Sequence, residues 1–372
     1  MKLKNIIIMS AVSVGAIGVY GCSSGSSSSS TASGTYAYIS DFGGNKLLQC
    51  SVNSNNGQLV NCQNIAQPNT LNAPTGIALN NGQIYVNNSG FNSGFQSVQS
   101  SSIQCALSGG IATLSGCLVS SPTGVSNPIG FTINGSYAYI ANYFGGPGYT
   151  KPGSYTWCSL EQSTGNLTNC NTESAPGIAM ESSATPEVIT INNNTTIGNS
   201  VAYVTDQQNA GYSYCKVSNI DGSLNSCSFE SLVAGSGGIT PIGPRQMTII
   251  NGYAYFADSG NTGGGTKQFD SAYTLCNVSP TDGKLSHCST QQTSPGQLNS
   301  PTGIAINGNY VYITNENGPA GESVGYSYTM CNISESGFLA NCNNYVPQGI
   351  TNPNYAPPGK GVYLTYIAFG SN

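Results

Sequence analysis

Twelve of the 13 cysteines in this 372-residue chain fall into six evenly spaced pairs, and that spacing restricts the fold more than any other feature. Cys50/Cys62, Cys105/Cys117, Cys158/Cys170, Cys215/Cys227 and Cys276/Cys288 stand 12 residues apart, and Cys331/Cys342 stand 11 apart. Between Cys50 and Cys62 lies Asn55-Asn56-Gly57, which suits a three-residue hairpin loop with its glycine at positive φ. Counting outward from Ser54 opposite Gln58 sets Cys50 directly opposite Cys62, near enough to bridge two antiparallel strands. Gly165, Gly222 and Gly283 hold the same place in their copies, while Ser108-Gly109-Gly110 departs slightly. In the shorter last copy, Ser336-Gly337 would close a two-residue turn, again opposing its cysteines. Six disulfides, one per copy, are therefore expected. Structural zinc, the rival use of paired thiols, prefers Cys-x-x-Cys spacing or clustered histidines, and the chain has no such spacing and a single histidine.

Around each pair runs the same strand pattern. An apolar segment, TGIALN (75–80), GFTIN (130–134), VITIN (188–192), QMTII (246–250) or TGIAIN (302–307), leads to a tyrosine-bearing one. These partners are IYVNN (84–88), AYIAN (138–142), AYVTD (202–206), AYFAD (254–258) and VYITN (311–315). Period-two alternation, enrichment in Ile, Val and Tyr, and turn residues at the breaks mark short β-strands. The first copy, AYISD (37–41), has no inner strand before it, and TYIAFG (365–370) at the chain's end has nothing after it. Each copy is too small to bury its own faces, so the copies must stack. The expected fold is all-β: a six-bladed β-propeller over residues 35–372, four antiparallel strands per blade, its ring closed by the C-terminal strand joining the N-terminal blade.

Charge removes one class of partner. Only 6% of residues are charged, 9 Lys+Arg against 14 Asp+Glu, and Arg245 is the single arginine. A nucleic-acid binder needs a cationic footprint, and none exists here. At the N-terminus, Lys2 and Lys4 precede an apolar run, Ile6 to Val19, of export-signal length. It ends Val19-Tyr20-Gly21-Cys22, which resembles a bacterial lipoprotein signal. That resemblance implies a signal peptide over 1–21, lipidation of Cys22, a membrane anchor and, with Ser23 following, the outer membrane. An ordinary secretory peptide cut nearby is the alternative. Residues 23–34, SSGSSSSSTASG, read as a flexible tether behind the lipid-bearing cysteine. The folded part is expected to be monomeric.

The strand signature, closest at AYVTD (202–206) and VYITN (311–315), resembles the YVTN/NHL-like class of β-propeller repeats. The resemblance spans 35–372 and implies a fold more than an activity, since such propellers include binding scaffolds, lyases and lactonases. It also implies that the loops between second and third strands share a face with the blade-to-blade connections. Those loops, at 89–101, 143–154, 207–211, 259–271 and 316–325, are rich in Gly, Asn, Ser and Tyr, as binding surfaces on rigid scaffolds often are.

Candidate residues gather on that face. A polar residue ends each tyrosine strand: Asp41, Asn88, Asn142, Asp206, Asp258 and Asn315. Such residues ordinarily bond nearby backbone amides. Alternatively, Asp206 and Asp258 are candidate ligands for a channel-mouth Ca²⁺; otherwise no cofactor is expected. Glu187 and Arg245 stand just before two adjacent inner strands, as an ion pair or part of a catalytic group. Tyr143, Phe144 and Tyr149 are aromatic candidates for gripping a protein or glycan partner. Tyr38, Tyr85, Tyr139, Tyr203, Tyr255 and Tyr312 read as blade-to-blade core, and Tyr155, Tyr212, Tyr273 and Tyr328 as packing within strands. The only histidine, His287, sits beside Cys288 on an outer strand, far from any central catalytic role. The expected function is a lipid-anchored envelope propeller that binds a partner through its long-loop face without catalysis. The competing expectations are a cation-dependent lactonase-like hydrolase using Asp206, Asp258, Glu187 and Arg245, and a purely structural envelope protein.

Overall fold

Strands built from Tyr and β-branched residues have two faces to cover, and this chain covers them by stacking sheet on sheet around an axis. The computed structural model describes residues 34–371 apart from 67–69, 91–99, 108–113, 144–151, 162, 175–183, 194–195, 197–199, 233–242, 260–270, 294–296, 317–326 and 348–363. Cys22, residues 23–33 of the tether, Phe144 and Tyr149 lie outside the described residues, as does most of the length of four of the five long loops. Strands β1–β24, numbered in chain order, form six four-stranded antiparallel sheets. Blade 1 consists of β24 (Leu364–Ser371), β1 (Thr35–Asp41), β2 (Lys46–Val52) and β3 (Leu59–Asn64). Blades 2 to 6 each run through four consecutive strands, starting at inner strands β4 (Pro74–Asn80), β8 (Pro128–Asn134), β12 (Pro186–Asn192), β16 (Pro244–Ile250) and β20 (Pro301–Asn307). The termini close the ring as expected, with Tyr36 opposite Gly370, Tyr38 opposite Ala368 and Ile39 opposite Ile367.

Consecutive blades are joined by a repeated hydrogen bond. The second-strand tyrosines are fully buried or nearly so, and their hydroxyls need acceptors there. Five of them find one on the outer hairpin of the next blade. Tyr85 donates to Gly165 O (3.1 Å), Tyr139 to Gly222 O (2.9 Å), Tyr255 to Gly337 O (2.7 Å) and Tyr312 to Gly57 O (2.6 Å), and Tyr203 donates to Gly283 O. The hairpin glycine serves two ends at once. Gly57 has φ 75°, and a Cβ there would stand 2.8 Å from the Tyr310 ring. The residue before the first cysteine adds a second latch in blade 3, where Trp157 Nε1 donates to Asp221 O at 3.2 Å.

All six expected disulfides are formed: Cys50–Cys62, Cys105–Cys117, Cys158–Cys170, Cys215–Cys227, Cys276–Cys288 and Cys331–Cys342, with Cα atoms 4.0–4.1 Å apart. The pairing stands, but the counted register of the hairpins does not. Val52 pairs with Leu59, and Asn53 N–H donates to Gln58 O at 2.9 Å, so the loop is one residue longer than expected. The excess is absorbed by a bulge. Ser51 faces Val60 whereas Gln49 faces Gln63, and the extra residue, Asn61, is left-handed at φ 52°. Cys62 therefore does not face Cys50 one to one; it shares that place with Asn61.

The same correction applies to every blade. Cys117 shares the place opposite Cys105 with Gly116, and Cys170 the place opposite Cys158 with Asn169. Cys227 is paired in this way with Ser226, Cys288 with His287 and Cys342 with Asn341, and each of these preceding residues has positive φ. In blade 6 the turn spans 335–337, closed by Ser334 N–H to Phe338 O, again one residue longer than the expected two. The bridges are also unequal in depth. Each first cysteine is fully buried, whereas Cys117, Cys170, Cys227 and Cys288 are half-buried on the outermost strand, and Cys342 is 9% exposed. An outermost strand has no neighbour beyond it in its own sheet, which leaves these four sulfurs partly uncovered, whereas Cys62 is buried at 3% exposure.

Candidate functional site

The inner strands hold the site because each begins with a bulge at the long-loop face. In β12, Pro186 faces Asp206 and Ile189 faces Val204, so Glu187 and Val188 together oppose one residue. β16 repeats this with Arg245 and Gln246 between Pro244 and Met247. In three other blades the first bulge residue is threonine and ties one blade to the next. Thr75 donates to Pro128 O (2.7 Å), Thr302 to Leu364 O (2.6 Å) and Thr365 to Pro74 O (3.3 Å). Glu187 and Arg245 occupy that same register, which aims a carboxylate and a guanidinium at the axial mouth.

The second bulge residue sets how closely the strands approach. A Cβ on Gly130 would stand 2.5 Å from Glu187 O, so glycine there lets β8 and β12 touch. In β24 the equivalent residue is Tyr366, whose hydroxyl donates to Glu187 O at 2.8 Å. Neighbouring inner strands run in the ring order β24, β4, β8, β12, β16, β20, so β24 and β12 are diametrically opposed. Tyr366 therefore reaches across the axis beneath the mouth.

Three further side chains complete the cluster, each following the polar residue that ends a tyrosine strand: Tyr143, Gln207 and Glu316. Arg245 Nη1 lies 3.0 Å from Glu316 Oε1, with about a fifth of each side chain in reach of solvent (19% and 18%). Ser300 Oγ donates to Glu316 Oε2 at 2.8 Å and fixes the carboxylate. The surrounding donors and acceptors set the Gln207 amide. Its Nε2 donates to Glu187 Oε1 (3.0 Å) and to Tyr143 Oη (2.6 Å), and its oxygen accepts from Arg245 Nη2 (3.3 Å).

Burial of Glu187, only 4% exposed, raises its pKa to about 7, with Glu316 and Asp206 adding to the rise and Arg245 opposing it. Burial also works against the Arg245 charge, but Glu316 and Glu187 outweigh it and hold the guanidinium protonated. Tyr143 is pushed well above the usual phenol range, first by burial and then by Glu187, so it remains a neutral hydroxyl.

The polar ring has a different job from the one a cation would need. Asn88, Asn142 and Asn315 each accept, at 3.1 Å, the backbone N–H of Asn72, Ser126 and Asn299, the residues leading into the inner strands. Asp206 Oδ1 accepts from Thr185 N (3.3 Å), Thr185 Oγ1 (3.1 Å) and Asn209 N (3.2 Å), and Oδ2 accepts from Asn209 Nδ2 (2.9 Å). Both oxygens of Asp206 are thus occupied by protein donors, and Asp258 lies one blade away. Among the described residues no three His, Cys, Asp or Glu converge as metal ligands. This donor set does not fit Ca²⁺. The second tyrosine set is core: Tyr155, Tyr212, Tyr273 and Tyr328 are at most 4% exposed. Of the three aromatic candidates for partner binding, Tyr143 belongs to the axial cluster. Gln207 and Glu316 are functional candidates that strand-pattern reasoning passed over. Their only signal is their place, one residue beyond Asp206 and Asn315.

No family model matches the chain, and no curated protein matches it. Among solved structures, it is similar to a protein from Lactobacillus plantarum (TM-score 0.55, 14% identity, covering 84% of this chain and 82% of that one). A putative 6-phosphogluconolactonase from Bacteroides uniformis matches at TM-score 0.55 and 14% identity over 88% of this chain and 87% of that one. The periplasmic gluconolactonase PpgL of Pseudomonas aeruginosa matches at TM-score 0.53 and 13% identity over 90% and 99%. At such identities the likeness establishes the propeller fold.

Proposed function

We propose that the protein hydrolyses a small neutral sugar lactone at the axial mouth of its long-loop face. The observation that carries this reading is Glu187, a buried carboxyl with a pKa of about 7 set beside a guanidinium and a neutral phenol. A general base works best when its pKa lies near the working pH. As water oxygen bonds to the lactone carbonyl carbon, Glu187 takes the water proton. Arg245 and Tyr143 donate to the oxyanion that develops. Collapse breaks the bond from carbonyl carbon to ring oxygen, and that oxygen takes the proton back from Glu187, releasing a hydroxy acid. The names carried by the Bacteroides and Pseudomonas structures support a lactone substrate. A phosphorylated lactone is disfavoured, because its phosphate would add negative charge beside Glu316 and Glu187, with Arg245 the chain's single arginine to offset all of it. The scaffold alternative has no specific observation in its favour.

The test is opening of D-glucono-δ-lactone in a pH-stat, compared with its spontaneous hydrolysis. The expected kcat/KM rises with pH through about 7 as Glu187 deprotonates, then levels off. Glu187→Gln is expected to lower kcat about 10²–10⁴-fold without changing the melting temperature. Arg245→Ala should move the rising limb to higher pH, since Arg245 is the group that holds Glu187 down. If the wild-type protein leaves this lactone at its spontaneous rate, the reading fails.

We also propose that the reaction runs outside the cytoplasm from a lipid anchor at Cys22, because six disulfides suit an oxidising compartment. Cys22→Ala should shift the protein from the membrane pellet to the soluble fraction. Retention in the pellet would remove the anchor from the account.

A further inference from the structure

The face opposite the axial mouth carries its own irregularity, independent of the lactone reading. The register that ends each inner strand holds asparagine in four blades (Asn80, Asn134, Asn192 and Asn307) and Gly370 in blade 1. Blade 5 breaks the pattern with Ile250, opposite Tyr253. The hairpin of blade 6 that packs against this spot is shortened too, its cysteines 11 residues apart where the other pairs are 12 apart. Where the two departures meet, a cleft of about 300 Å³ opens between blades 5 and 6, with Ile250, Asn251, Tyr253, Asn309, Ile333 and Glu335 among its lining residues.

The lining separates into an apolar floor and a polar rim. Ile250, Tyr253 and Ile333 are half-buried, while Asn251, Asn309 and Glu335 are exposed. Tyr253 is braced from one side by the hairpin, since a Cβ on Gly337 would stand 2.9 Å from its ring. No Lys or Arg lines the cleft, so an anion would meet Glu335 with nothing to offset the repulsion. A pure hydrocarbon would make no use of the amides and the carboxylate at the rim. A neutral sugar satisfies both halves: its C–H face rests on the aromatic and aliphatic floor, and its hydroxyls bond the two amides and the carboxylate. The volume lies at the small end of ligand sites, which run from about 300 to 1,000 Å³, and suits a single sugar unit. We propose that the junction of blades 5 and 6 is a binding subsite for a neutral saccharide.

Saturation-transfer NMR tests this with methyl β-D-glucopyranoside, methyl β-D-galactopyranoside, methyl α-D-mannopyranoside and methyl N-acetyl-β-D-glucosaminide. At least one is expected to bind. Ile250→Asn installs the residue that four blades carry at this register, so the chain should fold, and it should weaken that binding roughly tenfold or more. Glu335→Gln, on an exposed turn, should also weaken it while leaving the melting temperature unchanged. Glu187→Gln should leave it intact. The proposal is overturned if none of the four glycosides binds, or if binding survives Ile250→Asn and Glu335→Gln unaltered. Loss in Glu187→Gln would also overturn it, by moving the sugar to the axial mouth.

Discussion

Refolded from denaturant in the presence of reductant, this chain is expected to give no native propeller. Each disulfide joins cysteines 11 or 12 residues apart, and the loop-closure model assigns a loop of that size about 3 kcal/mol. Hairpins already partly formed in the unfolded chain would halve that to about 1.5 kcal/mol each. Six such contributions still reach about 9 kcal/mol, comparable with the roughly 5–15 kcal/mol that holds a whole domain together. The low charge and the polar outer strands offer no compensating core at the rim. Near-ultraviolet circular dichroism after refolding with and without dithiothreitol measures the outcome. A fully reduced chain that recovers the oxidised spectrum and melts cooperatively would refute the estimate. Reductant added to the folded protein should act far more slowly, because the first cysteine of every pair is fully buried (0% exposed). Where it does act, attack should come at the half-buried sulfurs of Cys117, Cys170, Cys227 and Cys288.

Removal of residues 364–372 should be as damaging. β24 gives blade 1 its inner strand, burying Leu364, Tyr366 and Ile367. It also accepts the Thr302 hydroxyl at Leu364 O and sends the Thr365 and Tyr366 hydroxyls to Pro74 O and Glu187 O. Without it, β1 becomes an unpaired edge facing the axis, with apolar Ala37 and Ile39 beside it, and such an edge is a template for aggregation. Gel filtration and thermal melting of the truncated chain read the result: loss of the cooperative transition and growth of aggregates. A monomer melting near the intact protein would show that the ring holds without its closing strand.

The ring was legible because it rests on periods. Cysteine spacing counts the blades, strand alternation places their faces, and an orphan strand at each end announces the closure. The bulge before each second cysteine was hidden. Asn61, Ser226 and His287 adopt positive φ where no glycine marks the turn, and a count along the hairpin cannot tell a longer loop with a bulge from a shorter loop without one. Glu187 and Arg245 stood out because charge is scarce. Their partners did not. Gln207 and Glu316 occupy a register that holds Tyr143 in blade 3 and serine in two others (Ser89 and Ser259), so no repeat flags them, and only curvature around the axis brings them to Arg245. The polar ring followed its ordinary reading: Asp41 and Asp206 accept backbone N–H groups of the turn that follows (Gly44 and Asn209), while Asn88, Asn142 and Asn315 accept those of the residues ahead of the inner strand.

Tyr366, lying across the axis, ties blade 1 directly to blade 4, so the ring is braced through its centre as well as around its rim. Any shift of the C-terminal strand would therefore be felt at the backbone of Glu187, on the opposite side of the ring.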